Sequence, residues 1–279
     1  MPLRPTGEIV AAAVAAGRGV AAFNVIQLEH AEALVTGAER AGAPVVLQIS
    51  QNCVKYHGAL APIGLATLAV ARAATVPVAV HLDHAEDPDL VREAVTLGFT
   101  SVMFDASTLD YADNVAATKE ITDHCHAHGV YVEAELGEVG GKDGVHAPGV
   151  RTDPAEAAAF VAATGVDALA VAVGSSHAML TRDASLDFEL ITRLRARVPV
   201  PLVLHGSSGV PDADLTTAVE SGMTKINIAT HLNKTFTGAV RDFLAANPST
   251  VDTRKYFAAG REAVAVEAER LLGVLRAAP

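Results

Sequence analysis

Tryptophan is absent from this 279-residue chain, and cysteine occurs only twice, at Cys53 and Cys125. The two cysteines form no CxxC pair and no disulfide framework, which fits the reducing environment of the cytoplasm. Long apolar runs are missing as well: no stretch reaches the roughly 18–20 apolar residues needed to span a bilayer. The N-terminal MPLRPTGEIVAAAVAAGRG lacks the long apolar stretch of a secretory signal, and its short, Ala-rich IVAAAVAA reads as a first helix. Positive charge is in deficit, with a formal net charge of −11. That deficit argues against nucleic acid or an anionic membrane as partner, but local fields still allow a phosphorylated substrate. No low-complexity tract, repeat or linker interrupts the chain, so residues 1–279 are expected to form a single domain.

Apolar residues, by contrast, make up 50% of the chain, enough for a substantial core. They fall in short β-branched runs: VAAFNV (20–25), PVVLQIS (44–50), VPVAVHLD (76–83), SVMFDAS (101–107), YVEAELG (131–137), ALAVAVG (168–174), PLVLHG (201–206) and KINIAT (225–230). Between them lie helical stretches such as EHAEALVTGAERAG, DPDLVREAVTLG, DPAEAAAFVAATG and PDADLTTAVESG, several opened by Asp or Pro and most closed by Gly. Strands that are nearly all apolar suit a parallel sheet covered on both faces. Eight such βα units predict a (β/α)₈ TIM barrel, with residues 252–276 as an additional C-terminal helix. An open doubly wound sheet is the alternative, but no GxGxxG follows the first strand.

The polar residues of these runs fall late in each strand: Asn24; Gln48 and Ser50; His81, Asp83 and His84; Asp105 and Ser107; Glu133 and Glu135; His177; His205; Asn227 and Thr230. In a barrel these ends converge on one face, where active sites of this fold are built. Of eleven histidines, His30, His124, His126, His128 and His231 fall in helical segments, and His57 and His146 in loops. These seven read as surface or satisfied histidines. The four at strand ends, His81, His84, His177 and His205, suggest a metal, since three protein ligands and an open position make a catalytic zinc site. Spacing alone does not say which three would bind. His81 and Asp83 share a strand face by period-2 alternation. HGSSG (205–209) and NIATHLN (227–233) each lead from a strand into a helix through small residues, as phosphate-binding loops do.

With these motifs the chain resembles the class II, zinc-dependent ketose-bisphosphate aldolases over nearly its whole length. FNV, HLDHAED, VMFDAS, VEAELGEVGG, AVAVGSSHAM, PLVLHGSSG, KINIATHL and NPSTVDTRKY carry the likeness, in order. The resemblance implies reversible cleavage of a ketose 1,6-bisphosphate, fructose-1,6-bisphosphate or its tagatose isomer, to dihydroxyacetone phosphate and glyceraldehyde 3-phosphate. It implies one Zn²⁺ on His84, His177 and His205, with Glu135 at an alternative metal position and Asp105 nearby. It makes Asp83 the acid/base at the C4 hydroxyl. Gly206, Ser207, Ser208, Asn227, Ile228, Ala229 and Thr230 match the dihydroxyacetone phosphate site, Asn24, Ser50 and Ala178 lie at the substrate, and Arg254 matches an arginine that binds the second phosphate, often across a subunit interface. A monovalent cation near the phosphate site and a homodimer or homotetramer belong to the same picture.

Three positions depart from the family pattern. The family's loop Glu, which moves a proton at C3, has only Asp143 of GGKDG to stand in for it. Ala178 replaces the Gly after the middle zinc histidine. Ala229 stands where fructose-bisphosphate enzymes often carry Asp and looks more like the tagatose branch, whereas Gln48 and Ser50 look more like the fructose branch. Other readings stay open. A metal-dependent hydrolase lacks its usual HxH in the first strand. A Schiff-base aldolase would have to use Lys225, the only strand-associated lysine of six. A sugar-phosphate-binding barrel without activity is the non-enzyme alternative, motivated by GGKDG.

Overall fold

The computed structural model describes residues 2–136, 151–176 and 179–278. Eight parallel strands close into a barrel in chain order: β1 (Val20–Asn24), β2 (Val45–Ser50), β3 (Val78–Ala85), β4 (Ser101–Phe104), β5 (Tyr131–Leu136), β6 (Ala168–Val171), β7 (Leu202–Leu204) and β8 (Met223–Ile228). β8 pairs with β1 to complete the ring. The helices are α1 (Thr6–Ala16), α2 (Leu28–Ala41), α3 (Gln51–His57), α4 (Leu60–Ala73), α5 (Pro88–Leu97), α6 (Tyr111–Ala127), α7 (Pro154–Thr164), α8 (Phe188–Arg197), α9 (Asp212–Ser221), α10 (Thr230–Ala246) and α11 (Thr253–Val274). Helix α11 is the expected C-terminal addition and packs against α2 and α10. Among the described residues no single helix is long and apolar enough to cross a membrane.

Local chemistry sets these boundaries. Asp87 and Asp153 accept hydrogen bonds from backbone N–H groups of the first turns of α5 and α7, and Pro88 and Pro154 occupy first-turn positions where no N–H is needed. The expected fourth strand stops earlier than its apolar run, at Phe104, because the Asp105 carboxylate turns back to accept from Ser107 N and Oγ. The expected eighth strand ends at Ile228, and Thr230 already opens α10.

Alternation divides each strand between two environments. Val78, Val80 and Leu82 of β3 point outward into the main apolar shell between strands and helices, as do Val132, Ala134 and Leu136 of β5 and Ile226 and Ile228 of β8. The inward set is mixed. Low in the barrel, Val20, Ala22, Val46 and Ala79 pack under Ile9 and Ala13 of α1, which closes that end. Met103, Ala168, Ala170 and Val203 fill the opposite side. Above them the inward positions become polar, and there the strands prepare a site.

Candidate active site

Inward-facing positions on five strands, and the residue just after β7, bring Asn24, Gln48, His81, Asp83, Glu133, Glu135, His205, Lys225 and Asn227 together, all but Asn24 buried. By alternation Asp83 points inward and His84 should follow Leu82 into the outer shell. Instead His84 adopts φ 48, and the β3–β4 register shifts between Leu82 and Ala85. This left-handed residue turns the imidazole into the mouth and returns Ala85 to the shell.

The His84 Nδ1–H donates to Asp105 Oδ2 at 3.0 Å, and the His205 Nε2–H donates to Glu133 Oε1 at 2.9 Å. A carboxylate only accepts, so each ring has its proton committed there and turns a lone pair to the mouth. Those two nitrogens, His84 Nε2 and His205 Nδ1, face each other at 2.9 Å. Lone pairs so close repel unless a proton or cation lies between them. Carboxylate oxygens complete two groups whose ligand atoms lie within 4.8 Å of one another, Asp83–His84–His205 and His84–Asp105–Glu135. Neutral imidazoles oriented from behind by carboxylates, with further carboxylates in front, suit a divalent cation.

Two amides hold Asp83. Asn24 Nδ2 donates to its Oδ2 at 3.2 Å and Asn227 Nδ2 to its Oδ1 at 3.4 Å. Gln48 Nε2 in turn donates to Asn24 Oδ1 at 2.6 Å, which fixes the Asn24 amide with its NH₂ toward Asp83. Asn227 Nδ2 also lies 3.2 Å from His205 Nε2. That nitrogen carries the proton Glu133 accepts, so this contact is packing. Burial raises the Asp83 pKa, but Lys225 and the His84 and His205 rings, when these are protonated, outweigh it, and the carboxyl ends below its ordinary range. His81 sits one layer deeper, its Nδ1 2.8 Å from Ser101 Oγ. Burial and then the Lys225 charge hold its pKa well below the ordinary value, so it is neutral.

After β7, Gly206 takes φ 68, and a Cβ there would come within 2.6 Å of the Ser176 backbone. Ser207 Oγ donates to Leu204 O, and Ser208 Oγ accepts from Ala229 N and His231 N at 3.2 Å each, at the start of α10. A cavity of about 300 Å³ opens beside Ser208, with Arg182, His231 and Lys234 on its wall. The Ile228 side chain lies in the outer shell, so any contact it makes with the mouth is through its backbone.

Not every expected residue joins this cluster. Ser50 lies beside Asp83 in the β2–β3 register, and its Oγ caps α3 by accepting from Cys53 N. Arg254 is 88% exposed and bonded to Asp252, away from the mouth. His177, Ala178 and Asp143 lie outside the described residues. The histidines expected to be surface or satisfied include one that is neither: His30 on α2 is 5% exposed, and among the described residues neither ring nitrogen has a hydrogen-bond partner. Its ring packs edge-on against Phe236 of α10, 5.0 Å between centroids. Sequence reasoning assigned no role to the buried Lys225–Glu133 pair, 2.8 Å apart, although both residues stand at inward positions of apolar strands.

Comparison with known proteins agrees with this geometry. The model of the family described as fructose-bisphosphate aldolase class-II matches residues 4–278. The probable fructose-bisphosphate aldolase of Bacillus subtilis (strain 168) is 39% identical over 280 residues, covering 99% of this chain and 97% of that protein. The crystal structure of the YdjI aldolase from Escherichia coli K12 superposes with a TM-score of 0.88 at 34% identity, over 99% of this chain and 98% of the other. A putative fructose-1,6-bisphosphate aldolase from Coccidioides immitis gives 0.86 at 27%, over 98% and 96%. The match spans every strand that contributes to the mouth, and the chain belongs to the class II fructose-bisphosphate aldolases, a family of metal-dependent lyases acting on phosphorylated sugars.

Proposed function

We propose that this aldolase reversibly cleaves a ketose 1,6-bisphosphate, fructose-1,6-bisphosphate in preference, to dihydroxyacetone phosphate and glyceraldehyde 3-phosphate. The observation that carries the reading is the carboxylate of Asp83, held by two amides beside two histidine lone pairs that face one another. A zinc ion on His84, His205 and His177, with Glu135 as an alternative ligand, would act as a Lewis acid toward the negative charge that develops when the C3–C4 bond breaks. Asp83 takes the C4 hydroxyl proton in cleavage and returns it in condensation. Its anchoring by Asn24 and Asn227 keeps it oriented at the mouth.

Gly206, Ser207 and Ser208, with residues 227–230, are proposed to take the phosphate of dihydroxyacetone phosphate. The N–H groups that Ser208 Oγ engages at the start of α10 are of the kind an anion can use, and Arg182 and Lys234 add positive charge nearby. A monovalent cation near that phosphate, and Asp143 as the group exchanging the C3 proton, belong to the proposal on sequence grounds. So do a homodimer or homotetramer that brings Arg254 of one copy to the second phosphate of another, and Ala178 and Ser50 as substrate neighbours. Ala229 favours tagatose-1,6-bisphosphate as a second substrate.

A coupled assay of zinc-loaded protein tests the reading with both bisphosphates. Dihydroxyacetone phosphate should be released from fructose-1,6-bisphosphate, abolished by chelation and restored by Zn²⁺. Full activity in metal-free protein, or borohydride trapping of substrate on a lysine, would refute it. A higher kcat/KM for the tagatose isomer would move the substrate assignment to that branch.

A further inference from the structure

Behind His205 lies a buried chain of charge. Lys225 Nζ donates to Glu133 Oε2 at 2.8 Å, and the other oxygen of the same carboxylate, Oε1, accepts from His205 Nε2 at 2.9 Å. All three residues are within 1% of complete burial. Lys225 stands two residues before Asn227 on β8, one inward layer deeper, and its nitrogen is engaged by Glu133. The pair explains a choice that His205 has to make. A neutral imidazole carries its proton on one nitrogen, and only the other can ligate a metal. With a carboxylate at Nε2, the proton must reside there, and Nδ1 keeps the lone pair that faces His84. We propose that Glu133 and Lys225 are positioning residues that select the Nε2–H tautomer of His205, with Lys225 bonded to one oxygen of the carboxylate so that the other, an acceptor, meets the ring.

This rests on the reading of His205 as a metal ligand, and it makes a counter-intuitive prediction about a near-isosteric change. In Glu133→Gln the side-chain amide has one oxygen and one NH₂. Lys225 has only donors, so it claims the amide oxygen, and the NH₂ is left to donate to His205 Nε2. The proton must then move to Nδ1, where it blocks the metal-binding lone pair. Removing the lysine as well, in Glu133→Gln/Lys225→Met, frees the amide to rotate, present its oxygen to Nε2–H and restore the original tautomer. A pair that merely filled space would show no such rescue, because the double variant disturbs the core more than the single one.

The test uses full-length protein and two readouts. Long-range ¹H–¹⁵N spectra of ¹⁵N-histidine-labelled, metal-free protein at pH 8 report the tautomer, with the His205 signals assigned by their loss in His205→Gln. Competition with a chromophoric chelator reports the Zn²⁺ affinity. Wild type should show Nε2–H at His205. Glu133→Gln should show Nδ1–H and bind Zn²⁺ at least about 100-fold more weakly, the upper range for loss of a residue that orients a ligand. The double variant should return to Nε2–H and regain about tenfold or more. Nδ1–H in wild type overturns the proposal without any variant, so it remains testable even if the substitutions prevent folding. A single variant with wild-type tautomer and affinity, or a double variant weaker than the single, also overturns it. If wild type binds no Zn²⁺, the metal reading fails, and the tautomer spectra still decide the role of Glu133 and Lys225.

Discussion

At His84 the backbone is in a left-handed conformation that costs a non-glycine residue on the order of 1–3 kcal/mol. The strain brings a ring that alternation would bury in the shell to within 2.9 Å of His205. Beside it, Asp83 is held from two sides, so its truncation should remove a proton acceptor without unseating the histidines. On the proposed mechanism, Asp83→Ala is expected to lower kcat for cleavage about 10²–10⁴-fold and to bind added Zn²⁺ as the wild type does, measured by coupled assay and metal analysis on one sample. A variant with wild-type kcat would take the proton-transfer role away from Asp83. His30 makes a separate, pH-dependent prediction. Burial lowers its pKa from 6.5 to about 4, against a weaker upward pull from Glu29. As pH falls from 6.5 toward 4 the unfolded chain binds this proton first, so stability present above pH 6.5 is lost through that window, by about 3 kcal/mol. In His30→Leu that contribution is gone. The wild-type advantage in unfolding free energy should therefore shrink by about 3 kcal/mol between pH 7 and pH 4 in urea titrations, and parallel curves for the two proteins would contradict it.

At the scale of elements, two glycines set how closely segments approach. On α2, a Cβ at Gly37 would come within 2.5 Å of Ala265 O and 2.8 Å of Ala268 Cβ on α11. The two helices can meet at this distance only because Gly37 has no side chain. Gly37→Ala should cost about 1–3 kcal/mol of stability by overpacking, read as a lowered urea midpoint with an unchanged m-value. At Gly206 a side chain meets two obstacles, a φ of 68 and the Ser176 backbone. That contact joins the loop after β7 to the segment leading to His177. Gly206→Ala should lower kcat/KM by more than tenfold while the circular dichroism spectrum stays that of the barrel. Wild-type kinetics would show that the loop has room to spare.

For the whole molecule, the position of Arg254 bears on assembly. It starts α11, is 88% exposed and is bonded to Asp252, and among the described residues its side chain bonds no residue of the mouth. On the proposed reading it binds the second phosphate held by a neighbouring copy. Arg254→Ala should then raise KM for the bisphosphate about 10- to 100-fold, the equivalent of losing a hydrogen bond to a charged group, and leave zinc content alone. Sedimentation should give a dimer or tetramer. A monomeric enzyme, or an unchanged KM, would remove Arg254 from the substrate site.

The order of elements was legible in the sequence because it is written in local terms. Apolar runs too short for helices, Asp-Pro at helix starts and Gly at helix ends specify eight βα units, and the glycines after α1, α2, α3, α5 and α7 all adopt the left-handed conformation such ends require. Placement of polar residues late in the strands was enough to put the polar cluster at one mouth of the barrel. What the sequence could not express is direction. Alternation puts Asp83 inward and His84 outward, and only the left-handed backbone at His84 and the register slip between β3 and β4 turn His84 to the same mouth. Nor does any local pattern pair Lys225 with Glu133, 92 residues apart, or aim two lone pairs at one point. Those relations arise when barrel closure forces buried polar groups from different strands to satisfy one another, because burial leaves an unpaired charge no solvent to turn to.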